Sequence, residues 1–103
     1  MTPSKNKILH LTLKKQWFDL VASGEKKYEF RKPSKWIASR LVGKEYDAIK
    51  FTNGYGKNKP SVQVEYKGYY INMLFMLKET YLNGNDVIVD IGDYVICLGE
   101  IWE

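Results

Sequence analysis

The sequence predicts a small α+β domain: a mixed or antiparallel, closed or nearly closed sheet of five or six short strands, with two short helices in the N-terminal half. Three observations predict this class. The chain has 103 residues, which suits one domain. Apolar residues recur with the two-residue period of strands in several separate stretches, whereas a helical period appears in only two. Both helical stretches precede residue 42, and turn residues separate the strands that follow.

The N-terminal segment supplies a polar arm and the first strand. Residues 1–7 are expected to form the arm because they lack an apolar pattern. Residues 8–13 alternate, with Leu9, Leu11 and Leu13 on one face and polar or smaller side chains on the other. The three leucines therefore predict the core-facing side of a strand.

A helix and a second strand follow. Residues 15–23 have a helical period, and Gly24 is expected to end this helix because glycine adopts the positive φ of a helix C-cap. Residues 27–32 alternate again, which gives one aromatic and one charged face. We expect the aromatic face, made of Tyr28 and Phe30, to pack into the core.

The rest of the chain predicts one more helix and several strands. Pro33 and Ser34 stop the second strand, and Ser34 can cap a short helix over residues 35–41. Turns rich in Gly, Asn and Asp separate the later strands. These strands are predicted over residues 46–52, 61–70, 87–89 and 94–102. Residues 72–81 fit a strand and a helix equally well.

The composition excludes several kinds of site. The chain has one cysteine, Cys97, and one histidine, His10, so it can form neither an internal disulfide nor a zinc site from these residues. Cys97 is expected to be a small buried apolar residue. No metal or other cofactor is expected. The N-terminus lacks the apolar core of a signal peptide, and no apolar run could span a bilayer, which predicts a cytoplasmic domain without a membrane partner.

The charge distribution permits a nucleic-acid partner. The formal net charge is +4, and most of the sixteen Lys and Arg residues lie between Lys14 and Lys59. Residues 79–103 contain six carboxylates and no Lys or Arg, which predicts a polarised surface. Aromatic residues make up 15% of the chain, more than a small core can hide, so some rings are expected to be exposed where they could stack on bases.

A charged cluster is predicted between the first helix and the second strand. The junction reads Gly24-Glu25-Lys26-Lys27-Tyr28-Glu29-Phe30-Arg31. Lys26 follows the turn, and Glu29 and Arg31 project from the same strand face, so the three should meet in a cleft. Such a cluster could hold a polar or anionic ligand, or move a proton if Lys26 is desolvated. The alternative interpretation is a structural salt-bridge network at a strand edge.

This segment resembles the G-x-K-x-x-E-x-R signature of the ASCH domain family, with all four fixed positions filled. The resemblance extends over nearly the whole chain and is strongest to short phage and bacterial members. It implies that residues 1–103 form one ASCH domain with a PUA-like barrel and that the chain is associated with RNA. It also implies that Gly24, Lys26, Glu29 and Arg31 belong to the ligand site.

The resemblance leaves two main function classes open. The first is a non-catalytic module that binds RNA or a nucleotide or nucleoside. The second is a small hydrolase, because some members of the family deacetylate an acetylated cytidine nucleoside and others are ribonucleases. Lys26 and Glu29 would then be catalytic, although Glu29 replaces the threonine of the deacetylases and removes its hydroxyl. Glu79 falls in the region of the family's additional catalytic glutamate. A third class is a module that binds a protein partner through exposed aromatic residues.

Further binding residues are expected outside the motif. Trp36 and Arg40 are four residues apart on a helix, where they could present a stacking platform and a phosphate contact, unless Trp36 packs the helix down. The loop over residues 53–60 could be a basic lid on RNA or a solvated hairpin loop. Its candidate residues are Asn53, Tyr55, Lys57 and Lys59. His10 could be a general base near the cluster or a hydrogen-bonded strand histidine.

Overall fold

The computed structural model describes residues 7–102, which contain two helices and seven strands. In chain order the elements are β1 (Ile8–Leu13), α1 (Lys15–Ala22), β2 (Tyr28–Arg31), α2 (Lys35–Leu41), β3 (Ala48–Asn53), β4 (Ser61–Ile71), β5 (Leu77–Thr80), β6 (Asp86–Val89) and β7 (Tyr94–Trp102). The predicted polar arm lies outside the described residues except for Lys7. Within residues 7–102, neither helix is long and apolar enough to cross a membrane.

Five strands form one curled mixed sheet in the order β1-β3-β4-β7-β2. Adjacent strands are antiparallel except β1 and β3, which are parallel because α1, β2 and α2 cross over between them. The sheet curls into a half-barrel whose edge strands are β1 and β2. The predicted small barrel-like α+β fold is therefore confirmed.

A separate two-stranded hairpin, β5–β6, completes the described strands. Its first strand, Leu77–Thr80, lies in the stretch for which the sequence fits a strand and a helix equally well. The residues before it are irregular, and Asn72 holds them: its side-chain amide donates to the carbonyl oxygens of Phe75, at 3.0 Å, and Asp90, at 3.1 Å. A side-chain network therefore fixes this connection where no regular ladder does.

The core lies inside the curl of the sheet. The inner faces of β1, β3, β4 and β7 and one side of each helix contribute the buried apolar residues, as alternation and helical spacing predict. These include Leu9, Leu11, Leu13, Phe18, Val21, Ile37, Leu41, Ile49, Phe51, Val64, Ile96 and Leu98. One expectation is corrected: Cys97 is only half-buried, because it pairs with the exposed Tyr28 and so lies on the sheet face opposite the buried Ile96 and Leu98.

Both predicted helix caps are present. Gly24 has φ of +85°, and its N–H donates to the carbonyl of Val21 at 3.0 Å, which ends α1. Ser34 accepts a hydrogen bond from the Ile37 N–H at 3.0 Å and so caps α2. The first cap matters for the site because it turns the chain sharply and delivers Lys26 to the inside of the barrel.

Candidate functional site

The charged face of β2 points into the barrel, which corrects the expectation that Tyr28 and Phe30 pack in the core. Glu29 is 5% exposed, whereas Tyr28 lies at the surface and Phe30 is half-buried. The cause is the register with β7, in which Glu29 pairs with Ile96. Because directly opposed residues share a face, Glu29 lies on the core side with Ile96. Alternation along β2 predicts two faces, but only β7 decides which one is buried.

Lys26, Glu29 and Arg31 form one connected cluster, as the turn and the strand spacing predict. The Glu29 carboxylate lies 3.3 Å from Lys26 Nζ and 2.7 Å from Arg31 Nε. Lys26 Nζ also donates to the Tyr28 carbonyl and lies 4.6 Å from the centre of the Phe30 ring. One buried carboxylate thus holds two cations, and this charge-assisted arrangement is rigid.

Arg31 also joins the two edges of the sheet. Its Nη2 donates to the carbonyl of Thr12 at 3.0 Å, so the guanidinium connects β2 to β1. These strands are four positions apart in the sheet order and meet only because the sheet curls. The structural interpretation of the cluster therefore has direct support, because the Glu29–Arg31 pair helps to close the barrel.

Burial lowers the pKa of the Lys26 ammonium from its usual value. Lys26 is 4% exposed, and the loss of water outweighs the attraction and the hydrogen bond of Glu29, which act in the opposite direction. Glu79 also favours the charged form, whereas Arg31 disfavours it. The sequence predicts that Lys26 could move a proton only if it is desolvated, and the structure shows that the side chain is buried.

Lys26 and Glu29 line a small cavity, here called the inner cavity. Its volume is about 140 Å³, and its wall also contains Leu13, Trp17, Phe30 and Val87. Ligand pockets for small molecules usually have volumes of about 300–1,000 Å³. The inner cavity is therefore too small for a nucleoside unless a wall moves.

One wall of the inner cavity belongs to the β5–β6 hairpin, through Val87 of β6. The hairpin also brings Glu79, which accepts a hydrogen bond of 2.7 Å from the buried Tyr81 hydroxyl. Burial and this bond raise the pKa of Tyr81. Glu25 accepts a bond of 2.7 Å from the Leu82 N–H, which ties the hairpin to the end of α1. Glu79 thus lies near the motif, a proximity that no local pattern predicts.

A second cavity, here called the outer cavity, lies on the other side of the Glu29–Arg31 pair. Its volume is about 300 Å³, and it is lined by His10, Thr12, Arg31, Trp36 and Tyr55. Trp36 is 48% exposed and Tyr55 is 85% exposed. An arginine, a histidine and two accessible aromatic rings from β1, β2, α2 and the 53–60 loop therefore converge on one space.

Trp36 does not pack α2 down against the core. The Arg40 guanidinium lies over the half-exposed Trp36 ring, 5.1 Å from the ring centre. The two residues therefore form a combined cationic and aromatic surface one helical turn long. Ile37 and Leu41 do the packing of this helix instead. The structure thus places Trp36 and Arg40 together, as their spacing predicts.

The other candidate residues are not brought to a cavity wall. Asn53 ends β3, and its N–H donates to the Pro60 carbonyl at 2.9 Å, which closes the base of the loop. Lys57 and Lys59 are exposed on that loop, near but outside the walls of the outer cavity. Gly24 shapes the chain without lining either cavity. Across residues 7–102, no group of three or more His, Cys, Asp or Glu side chains could hold a metal ion.

Several site residues escape sequence reasoning. Thr12 contributes a backbone carbonyl to Arg31, and Trp17 of α1 and Val87 of β6 line the inner cavity with Lys26. Trp17 packs edge-to-face with Tyr81 at 6.3 Å between ring centres. The sequence indicates only that aromatic residues are abundant, and this abundance does not predict where each ring lies.

An exposed apolar segment precedes the hairpin. It consists of Met73, Leu74, Phe75 and Met76, all of which are exposed. The sequence suggested a protein-binding surface made of aromatic residues, but this segment is mainly aliphatic and contains one ring. It lies between β4 and β5 and does not line either cavity.

Comparisons of the chain with protein-family models, with curated proteins and with solved structures found no match.

Proposed function

We propose that this chain binds RNA or a nucleotide-like ligand in the outer cavity and that the Lys26–Glu29–Arg31 cluster holds that cavity in shape. Bases would stack on both Trp36 and Tyr55, and a phosphate would meet Arg31 or Arg40. Aromatic stacking on single-stranded bases combined with cationic contacts to the backbone is the usual mode of such recognition.

The observation that carries the proposal is the convergence of accessible rings and cations at the outer cavity. Its volume of about 300 Å³ is in the range of ligand pockets, whereas the inner cavity of about 140 Å³ is not. Arg31 is held by Glu29 and Thr12 through two of its five N–H donors, and a quarter of its side chain is exposed. A guanidinium fixed in this way can bind a phosphate with its remaining N–H donors.

The direct experiment is a binding titration of Tyr55→Ala with a fluorescent oligocytidylate of eight nucleotides. Tyr55 is exposed on a loop, so its removal should leave the fold unchanged. Loss of one stacking contact costs about 1–3 kcal/mol, which raises Kd at least about fivefold. The matched control is Tyr70→Ala, an exposed tyrosine on β4 that does not line the outer cavity. Equal affinity of the wild type and Tyr55→Ala would reject the outer cavity as the site.

The loop lysines give a second readout of the same proposal. Each phosphate contact to a single strand contributes about −0.7 to the slope of log K against log salt. If Lys57 and Lys59 cover bound RNA, Lys57→Ala and Lys59→Ala should each reduce this slope and weaken binding to every sequence. Unchanged slopes in both variants would identify the loop as solvated and leave Arg31 and Arg40 as the phosphate contacts.

The lowered pKa of Lys26 favours a second candidate function, hydrolysis of RNA or of an acylated cytidine. An ammonium destabilised by burial gives up its proton more readily, and the resulting amine can act as a base or nucleophile; Glu79 favours the charged form and is bonded to Tyr81. This activity requires the β5–β6 hairpin to open, because the inner cavity is smaller than a nucleoside. Lys26→Met should then abolish turnover of an acetylated cytidine. Absence of turnover by the wild type would reject this candidate and leave the binding proposal intact.

A further inference from the structure

Two more cavities continue from the outer cavity along β1. The first has a volume of about 360 Å³ and shares His10 and Trp36 with the outer cavity; Arg40 and Tyr46 also line it. The second has a volume of about 650 Å³ and shares Tyr46 with the first. The shared lining residues show that the three cavities are neighbours in a row along β1, and this row is here called the β1 groove.

The far end of the β1 groove is rich in tyrosine and balanced in charge. Tyr46, Tyr66 and Tyr69 line it, and the rings of Tyr46 and Tyr66 pack edge-to-face with 5.4 Å between their centres. Its charged groups are Lys7, Lys44, Glu45 and Asp47. The Asp47 carboxylate accepts a bond of 2.9 Å from the Lys7 backbone N–H. This end therefore offers tyrosine side chains and two exposed lysines, Lys7 and Lys44, whose charges the exposed Glu45 and Asp47 balance.

The near end has the opposite character. Arg31, Arg40 and His10 line its walls together with Trp36 and Tyr55, and no carboxylate does so in the part of the chain that the structure describes. Cations and aromatic rings thus alternate from Tyr55 through Trp36 to Tyr46. A ligand with one base and one phosphate would occupy only the near end, whereas a chain of nucleotides would fill the whole groove.

The geometry points to a single-stranded nucleic acid of about three to five nucleotides as the ligand of the β1 groove. From Thr12 to Lys7 the groove follows β1 for about 17 Å at roughly 3.3 Å per residue. Stacked nucleotides advance by about 3.4 Å, and splayed bases advance further. A duplex is disfavoured because its bases are already stacked on each other and cannot meet the rings. This inference rests on the proposed function and extends it.

A length series tests the inference. Fluorescent oligocytidylates of one, two, three, four and eight nucleotides are titrated into the full chain, with deoxycytidylates in a parallel series that identifies the sugar. Affinity should rise roughly fivefold or more for each added nucleotide up to three to five and then level off. The same eight-nucleotide strand annealed to its complement should bind at least about tenfold more weakly.

Two lysine variants locate the far end. Lys44→Ala should weaken binding of the tetranucleotide at least about threefold and reduce its salt slope by about 0.7. The matched control is Lys78→Ala, an exposed lysine on the β5–β6 hairpin that does not line the β1 groove. Equal tetranucleotide affinity in Lys44→Ala and Lys78→Ala would overturn the assignment of the far end.

The outcomes separate this inference from the proposed function. Binding of a mononucleotide with no gain on lengthening would overturn the β1 groove as a strand site and leave the outer cavity as a nucleotide site. No binding by any strand or nucleotide would overturn both. Duplex binding as tight as single-strand binding would overturn the single-strand assignment.

Discussion

Replacing Glu29 with Gln removes one negative charge from the buried cluster and changes the side-chain shape little. The carboxylate is 5% exposed and contacts Lys26 Nζ at 3.3 Å and Arg31 Nε at 2.7 Å. In the variant, two cations remain at the core side of β2 without their shared partner. Arg31 can still turn toward solvent, but Lys26 is enclosed. The loss should therefore fall mainly on Lys26.

The magnitude follows from the distances and from the burial. At an effective dielectric constant of about 20, unit charges 3.3 Å apart attract by roughly 5 kcal/mol. Measured losses on removing one partner of a buried pair are about 3–5 kcal/mol. The free energy of unfolding of a small domain is only about 5–15 kcal/mol. Glu29→Gln should therefore remove a large fraction of the stability of the domain.

Urea unfolding followed by tryptophan fluorescence measures this loss. With a slope of about 1.5 kcal/mol/M, the midpoint should fall by about 2–3 M. The control is Glu100→Gln, which removes an exposed carboxylate from β7 and should shift the midpoint by less than about 0.5 M. Adding Lys26→Met to Glu29→Gln should recover part of the loss, because the buried cation is then gone. A Glu29→Gln midpoint that matches Glu100→Gln, or no recovery in the double variant, would refute the reasoning.

The remaining predictions concern Lys26 and Gly24. Because the folded-state pKa of Lys26 lies below the unfolded value of 10.5, the unfolded chain binds more protons between these two values, so this group adds stability as pH rises through that window. The urea midpoint of the wild type minus that of Lys26→Met should increase from neutral pH to pH 10. A difference that does not change with pH would contradict the lowered pKa. At Gly24, φ of +85° is unfavourable for a residue with a Cβ, although the nearest side-chain atom would be 3.7 Å away. Gly24→Ala should therefore cost about 1–2 kcal/mol through backbone conformation, and Gly24→Asn less, as calorimetry can verify; equal losses would point to a steric cause.

Local patterns predicted the elements well where the chain is strictly periodic. The bounds of β1 and α2 match the predicted ranges, and the caps at Gly24 and Ser34 follow from side-chain chemistry within four residues. Residues 72–81 could not be assigned because their apolar side chains belong to an exposed irregular segment followed by a short strand. In this segment apolar side chains are exposed, so an apolar pattern does not predict burial.

The candidate site was predicted only as far as one strand and one turn determine it. The meeting of Lys26, Glu29 and Arg31 follows from their spacing, and so does the pairing of Trp36 with Arg40. The buried side of β2 depends instead on its register with β7, whose residues lie more than sixty positions away. The β1 groove likewise requires α2, the 53–60 loop and β4 to meet around β1, which local periodicity does not specify.

The structural and ligand-binding interpretations of the motif are not alternatives in this geometry. Glu29 holds Arg31 from inside the barrel, and the same guanidinium reaches the Thr12 carbonyl and lines the outer cavity. Under the proposed function, variants of Glu29 or Arg31 should therefore alter stability and binding together. Tyr55 and Lys44 are exposed, and their substitution changes only the surface of the β1 groove. Substitution of Tyr55 or Lys44 should weaken binding and leave the free energy of unfolding unchanged, whereas Glu29→Gln should lower both the affinity and the free energy of unfolding. This pair of results would show that the buried cluster acts on binding by positioning Arg31.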